Sequence, residues 1–487
     1  MGTIVAVIDK KGEDATNAAV TMLKSLSAKT EICKLATPAV TRIEKSLESL
    51  ESESMNSSIL IGQILCTTRS DTVTKCVQPE TSFIFEGQVY SETKASCDTL
   101  ITKERRDEKK AAEFMKQADG DFAFIFATSD RLVAGRAPIG VCPLYYGENA
   151  FFAALASERK ALWKIGVKET ASFPPGHVAS VSREGFCFKP VKTLACQPKM
   201  KTTHLRMAAM ALQALLQKSV CERVKDLKEV AVAFSGGLDS SVVAWLAKNS
   251  KVAVFLMHVS LRKQPETQYA KQAAEALGLS LNVHEYSEED LERVLPDVLW
   301  AIETADPLAV SIGIPMYWAA EKAVSMDCEV VLAGQGADEL FGGYKRYVDC
   351  YIRHGSRETQ RMITNDILRL HETNIERDRK ICDTHGVELR LPFAAYNVAR
   401  FALDLPLKLK IEPRTLTRKF ILKKTAANMG LPQMIVEKPK KAMQYATGTT
   451  AALKKMAQKK GTPLKDYLLE IFQKIFERED KTCTKQQ

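Results

Sequence analysis

The sequence predicts a two-part chain: an α+β half built on antiparallel sheets, then an α/β half built on a doubly wound parallel sheet with a helical C-terminal part. Three observations carry this. Between residue 59 and about 190, short alternating or apolar runs recur between turn residues ("SILIGQILCTT", "TSFIFEGQVY", "GDFAFIFATSDRLVAGR", "FFAALASE"), the texture of antiparallel strands. Beyond residue 204, strand candidates at 229–234, 251–257, 280–286 and 329–333 alternate with helix candidates at 240–249, 266–277 and between 288 and 325, as parallel sheets require. Residues 360–480 then read mainly as helix.

Taken in order, "EKSLESLESESMNSS" (44–58) is the most polar stretch and fits a loop or the exposed face of a helix. "RRDEKKAAEFMKQA" (105–118) is a helix joining the strands of the first half. "ACQPKMKTTH" (195–204) is polar, holds a proline and fits a linker. "HLRMAAMALQALLQKSVCERV" (204–224) is apolar at helical spacing and opens the second half. The expected domains are therefore 1–200 and 201–465, with 466–487 a C-terminal helix or tail of mixed charge.

A chain of 487 residues is long enough for two to four domains, each with its own core. With 45% hydrophobic and 26% charged residues, the composition is that of a soluble globular protein. No apolar run approaches the roughly 18 residues of a membrane span. The start, Met1-Gly2-Thr3-Ile4-Val5-Ala6, lacks the basic flank and apolar core of a signal peptide, so a cytoplasmic location and no membrane partner are expected. None of the 12 cysteines forms a C-x-x-C pair; in a reducing compartment most of them would be small buried apolar residues. The net charge of +10 raises nucleic acid as a partner, but the charge is spread along the chain and densest at 438–460. A triphosphate needs some of it, and nucleic acid is not the expected partner.

The chemistry is concentrated in "EVAVAFSGGLDSSVVAWLA" (229–247), where an apolar strand ends in Ser235-Gly236-Gly237-Leu238-Asp239-Ser240-Ser241 and a helix follows at once. Ligands of doubly wound sheets bind beyond the C-terminal strand ends. Two glycines let the backbone approach a phosphate, serine hydroxyls add donors, and the helix presents free N–H groups. Asp239 among phosphates is repulsive unless a divalent cation bridges them, so Mg²⁺ is implied. No Walker lysine reaches over the terminal phosphates. The β and γ groups would then leave together, which suits attack at the α-phosphorus with release of pyrophosphate.

Ser-Gly-Gly-x-Asp-Ser resembles the pyrophosphate loop of ATP pyrophosphatases, and further stretches narrow the resemblance to the asparagine synthetases. "VLAGQGADELFGGYKRY" (331–347) and "HGVELRLPF" (385–393) resemble their second and third signatures, and "KFILKKTA" (419–426) and "EKPKKAMQYATG" (437–448) their C-terminal motifs. "DGDFAFIF", "RAPIGVCPLYYG", "SERKALWKIG" and "FPPGH" resemble the family's N-terminal glutaminase domain. The resemblance covers roughly residues 1–450. It implies an Ntn-type αββα sandwich followed by a pyrophosphate-loop domain of the adenine nucleotide α hydrolase-like kind. It also implies ATP and Mg²⁺ as cofactors, activation of aspartate or a related carboxylate as acyl-AMP, and amidation by ammonia. Ser235, Gly236, Gly237, Leu238, Asp239, Ser240 and Ser241 would bind pyrophosphate. Phe234, Val259, Ala333 and Gly334 would line the nucleotide, and Asp239 and Asp338 would hold the metal. Lys440 would neutralise the leaving pyrophosphate, with Glu388 and Arg390 shaping the substrate end or forming a structural ion pair. A homodimer and a separate ammonia-supplying protein are the macromolecular partners it suggests.

Departures from the family pattern sharpen the expectation. The second signature has Gln335 where the family has glutamate, and Gln335 cannot accept a proton at neutral pH. The nucleotide strand ends Met257-His258-Val259-Ser260 rather than Ser-Ile-Gly. The family glutaminase begins Met-Cys-Gly-Ile, whereas position 2 here is glycine, which carries no nucleophile; Thr3 is out of register. The family's Asn-Gly-Glu appears as Glu86-Gly87-Gln88, and no Arg-Gly-Pro-Asp loop is present. The first domain is thus expected to keep its fold without glutaminase activity. Two other readings compete: an ATP pyrophosphatase modifying a nucleotide or tRNA, and a non-catalytic ATP-binding regulator.

Overall fold

The computed structural model describes residues 2–26, 32–51, 54–65, 82–90, 107–194 and 204–483. Most of the expected linker (195–203), residues 105–106 of an expected helix and the end of the tail (484–487) lie outside them. The chain divides into two compact units: 1–194 with the short segment Asp383–Gly386, and 195–382 with 387–487.

The first unit contains β1 (Gly2–Asp9), β2 (Ile32–Ala36), β3 (Thr41–Glu44), β4 (Ile59–Leu65), β5 (Phe83–Val89), β6 (Gly120–Ala127), β7 (Leu132–Arg136), β8 (Tyr145–Glu148), β9 (Phe152–Ala156), β10 (Thr170–Ser172), β11 (His177–Ser182) and β12 (Gly185–Pro190). They form two sheets, ordered β10-β8-β9-β1-β4-β2-β3 and β12-β11-β7-β6-β5, antiparallel throughout. Strand alternation sorts the side chains into layers. In β1, Ile4, Ala6 and Ile8 face Ile84, Ala123 and Ile125 between the sheets. Val5 and Val7 face the other way, onto Ala19 and Leu23 of the helix Thr16–Lys24 and Leu162 of the helix Arg159–Lys164. Both faces of β6 are covered, which is why "FAFIFA" has no polar position. Phe122, Phe124 and Phe126 pack on Ala111, Phe114 and Met115 of the helix Glu108–Gln117. Each ring stabilises this layer by about 2–3 kcal/mol relative to exposure. The result is an αββα sandwich. The polar stretch 44–58 includes the short helix Leu47–Glu51.

The second unit is built on β13 (Glu229–Ala233), β14 (Ala253–Leu261), β15 (Leu281–Tyr286), β16 (Val330–Leu332) and β17 (Glu388–Arg390), all parallel, in the order β15-β14-β13-β16-β17. The chain moves outward from β13 to β14 and β15, then returns to place β16 on β13's other side. This makes the β13/β16 border a topological switch point, where α/β sheets open a crevice for ligands. The helical stretch 288–325 is two helices, Glu288–Ile302 and Pro307–Ser325, bent by 109°. Asp306 caps the second, accepting from Ala309 N–H at 2.8 Å, and Pro307 takes its first position. The C-terminal part is mainly helical, ending in Leu464–Cys483. β17 departs from the expected helical texture after residue 360: three residues are too short to show a strand period. No single described helix is long and apolar enough to cross a membrane.

Candidate active site

The loop after β13 and the loop after β16 meet at the switch point. Phe234 N–H donates to the Met257 carbonyl at 2.8 Å, anchoring the first loop to β14. Ser240 Oγ donates to the Gly237 carbonyl (3.2 Å) and accepts from Ser235 N–H (3.3 Å), and Gly237 N–H donates to Ser235 Oγ (3.3 Å). These bonds curl the loop upon itself. Gly237 caps the helix Leu238–Lys248 with no side-chain hydrogen bond, leaving first-turn N–H groups for an anion. Ser241 Oγ is buried without a hydrogen-bond partner. Phe234, Leu238, Val259 and Ala333 are all buried.

The second loop comes very close. A Cβ at Gly334 would stand 2.9 Å from Asp239 Cβ, so only glycine lets the loops touch. Beyond it, the short helix Ala337–Phe341 carries Asp338, and Gly343 closes its far side. Any Cβ at Gly343 would overlap both Asp338 Oδ1 and Lys419 Cε.

Four charges from four distant places in the chain converge here. Lys419 Nζ lies 2.6 Å from both carboxylate oxygens of Asp239 and 2.7 Å from Asp338 Oδ1. Lys440 Nζ lies 2.6 Å from Asp338 Oδ2 and 3.9 Å from Asp239 Oδ2. Burial alone would raise the Asp338 carboxyl's pKa, but the charges of Lys419 and Lys440 override it and hold it well below the usual carboxylate range. Burial would lower the pKa of Lys440, and Asp338 with Asp239 instead keeps its ammonium charged above the usual lysine range. Neighbouring Glu339 is shifted upward by burial and by Asp338, while Tyr344 O–H (2.5 Å) and Asn374 Nδ2 (2.6 Å) donate to its Oε1.

Two carboxylates converging on one cation position suit a divalent ion that completes its shell with phosphate oxygens and water, the habit of Mg²⁺. Among the described residues no group of three or more His, Cys, Asp or Glu forms an all-protein metal cage.

Lys419 and Asp378 escaped the sequence reading. Lys419 heads the quoted "KFILKKTA", a signal that was present, but its placement depends on a left-handed backbone (φ 55°) rare for lysine. The neighbouring Arg418 holds that turn, donating to the Gly343 carbonyl at 2.9 Å. Gln335 Nε2 donates to Asp378 Oδ2 at 2.9 Å; Asp378 is fully buried and pairs with Arg377 Nε at 2.8 Å. Of the two readings of Glu388 and Arg390, their side chains take the ion-pair arrangement. Arg390 Nε is 2.7 Å from Glu388 Oε1, and its Nη1 is 2.8 Å from Asp226 Oδ1, with Arg390 buried. The Arg390 carbonyl accepts from Ala333 N–H at 3.3 Å, so this strut braces the loop after β16 from β17.

In the first unit, position 2 is closed. A Cβ on Gly2 would stand 2.7 Å from the Ile64 carbonyl oxygen and 2.9 Å from Gln63 Nε2. Thr3 is buried in β1. Glu86 is buried and accepts from Ser157 Oγ at 2.7 Å, while Ile4 N–H donates to that same hydroxyl at 3.0 Å, so the carboxylate ties β5 to the strands of the other sheet.

One chain thus joins an antiparallel αββα sandwich to a parallel α/β unit, and its relatives define the class as ligases. The asparagine synthase family model matches residues 211–359 and 351–479, and that of the glutamine amidotransferase domain matches 85–164. A putative glutamine-hydrolysing asparagine synthetase 1 of Methanocaldococcus jannaschii is 32% identical over 398 residues, 72% of this chain and 73% of that protein. Asparagine synthetase 2 of Oryza sativa subsp. japonica is 29% identical over 333 residues, 65% of this chain but 55% of that protein. Among solved structures, NMN synthetase from Francisella tularensis aligns at a TM-score of 0.29 and 13% identity over 57% of this chain and 94% of that one. The B. subtilis glutamine phosphoribosylpyrophosphate amidotransferase aligns at 0.33 and 12%, over 58% and 80%. The chain belongs to the asparagine synthase family.

Proposed function

We propose that this chain activates a carboxylate, aspartate first among candidates, as acyl-AMP with release of pyrophosphate, and then forms the amide with ammonia. The observation that carries this is the convergence of Asp239, Asp338, Lys419 and Lys440 on the loop Ser235–Ser241. In this reading the loop hydroxyls and the first-turn N–H groups of the helix Leu238–Lys248 bind the β and γ phosphates. Phe234, Val259, Ala333 and Gly334 line the nucleoside. Asp239 and Asp338 would hold Mg²⁺, which when bound neutralises phosphate charge and orients the triphosphate.

The four side chains sum to zero charge, so an incoming triphosphate supplies the negative charge that the two ammonium groups then carry. Negative charge grows on the leaving pyrophosphate as the α-phosphorus is attacked. Preorganised Lys419 and Lys440 stabilise that charge with no rearrangement at the moment of reaction. Gln335, braced by Asp378, orients the acyl end without taking a proton. With no side chain at position 2 to attack glutamine, the ammonia is supplied free or by a separate protein; a homodimer is the expected assembly.

The test is ATP–pyrophosphate exchange with a panel of carboxylates, aspartate first, followed by amide formation from ammonium. Exchange dependent on one carboxylate supports the reading. Binding of Mg·ATP with no exchange under any carboxylate would replace it with a regulatory one.

A further inference from the structure

Residues 438–442, which carry Lys440, have no regular secondary structure of their own; they run between the helices Gln433–Glu437 and Met443–Ala446. The lysines on either side of Lys440 provide the fastening. Lys438 Nζ is 2.8 Å from Glu266 Oε2, and Lys441 Nζ is 3.3 Å from Glu266 Oε1, so one carboxylate takes both, one on each oxygen. Glu266 stands in the first turn of the helix Pro265–Leu277. Three residues on, Tyr269 adds two contacts: Lys438 Nζ sits 3.3 Å from its ring centroid, and its O–H donates to the Met434 carbonyl at 2.7 Å. The same helix backs the pyrophosphate loop, since a Cβ at Gly236 would come 3.0 Å from Ala270 Cα and 3.2 Å from Tyr269 Cδ1. It therefore touches both the loop that cradles phosphate and the strap that carries the lysine. Side-chain exposures of 17% for Glu266 and 13% for Lys438 shield this pair from the screening that weakens surface ion pairs.

We propose that Glu266 is the positioning residue for Lys440. It gathers the flanking Lys438 and Lys441 so that the middle lysine alone reaches the Asp239–Asp338 pair. The inference rests on the proposed role of Lys440 in adenylation, and the experiment separates the two. Limited tryptic digestion of the native full-length chain reads the strap directly, because the bonds after Lys440 and Lys441 are cleavable while Lys438 precedes a proline. Glu266→Gln is expected to speed cleavage there by about tenfold, the equivalent of one lost charge-assisted hydrogen bond. Its melting midpoint should stay within about 3 °C of wild type. Glu266→Asp, which keeps the charge, restores most of the protection. In pyrophosphate exchange, Glu266→Gln lowers kcat about tenfold while the KM for ATP moves less than about twofold, the signature of a misplaced transition-state group.

Equal digestion of Glu266→Gln and wild type overturns the proposal. So does faster digestion with unchanged kcat, since the strap would then be uncoupled from Lys440. Absence of exchange in the wild type itself would refute the functional reading, and with it the positioning role, while digestion still decides whether Glu266 fastens the strap.

Discussion

Restoring the family glutamate, Gln335→Glu, replaces a hydrogen bond with a meeting of like charges. Gln335 Nε2 now donates to Asp378 Oδ2 at 2.9 Å, and Asp378 is fully buried. At that separation two unit charges repel by about 6 kcal/mol at an effective dielectric of 20. Arg377, 2.8 Å from Asp378 Oδ1, cuts this ceiling. The working figure is the lost hydrogen bond to a charged group, so Gln335→Glu should lower unfolding free energy by about 2 kcal/mol near pH 8. The introduced carboxyl relieves the repulsion by taking a proton, so its folded pKa lies above the unfolded value of about 4.3. A folded state that binds a proton more tightly gains stability as pH falls through that raised pKa. The variant's deficit should therefore narrow from about pH 8 to about pH 5. Urea unfolding of both proteins across that range measures it, and a deficit that does not change with pH would refute the facing geometry. On the same preparations, ammonia-dependent amide release should change more than pyrophosphate exchange. Equal effects on both would refute a role confined to the acyl end.

Asp239→Asn should abolish adenylation while the fold persists, because Asp338 still pairs with both lysines; unchanged exchange would sink the metal assignment. Lys440→Ala should slow exchange by about a hundredfold or more in kcat, a usual loss for one electrostatic stabiliser. A loss confined to ATP affinity would reassign Lys440 to ground-state binding. Lys440→Ala also removes one of the two charges that depress the Asp338 carboxyl. That ionised pair stabilises the fold above the unfolded carboxylate range and is lost only as pH falls through the depressed value, so acid unfolding should begin at higher pH in the variant. Wild type should release no glutamate from glutamine. Gly2→Cys should not gain that activity, because its Cβ collides with the Ile64 carbonyl; robust glutamate release by wild type would require a nucleophile elsewhere.

Elements with strong periodicity were legible from sequence. "FAFIFA" reads as a strand because β-branched and aromatic residues fill both covered faces, and the Ser-Gly-Gly turn reads as the junction it forms between β13 and the helix Leu238–Lys248. What escaped depends on partners distant in sequence. The expected strand at 251–257 stops where polar residues begin, yet β14 runs on to Leu261. His258 and Ser260 are buried there, and Thr267 meets both, His258 Nε2 at 3.2 Å and Ser260 Oγ at 3.0 Å. β17 was hidden among helices because three residues show no period. The position of Lys419 follows from a left-handed turn and from Gly343, 76 residues upstream, neither of which marks the lysine itself. Motifs named the aspartates and Lys440, while the place of Lys419 had to be seen in three dimensions.

The order in which the four charges occur along the chain has a consequence for biogenesis. Asp239 and Asp338 leave the ribosome first, and Lys419 and Lys440 follow only after most of the second unit has been made. Until then a nascent domain that closes the β13/β16 crevice brings two carboxylates together with no ammonium between them, an arrangement whose repulsion grows as water is excluded. The crevice is thus expected to be among the last parts of the unit to set during synthesis, sealed when the lysines arrive.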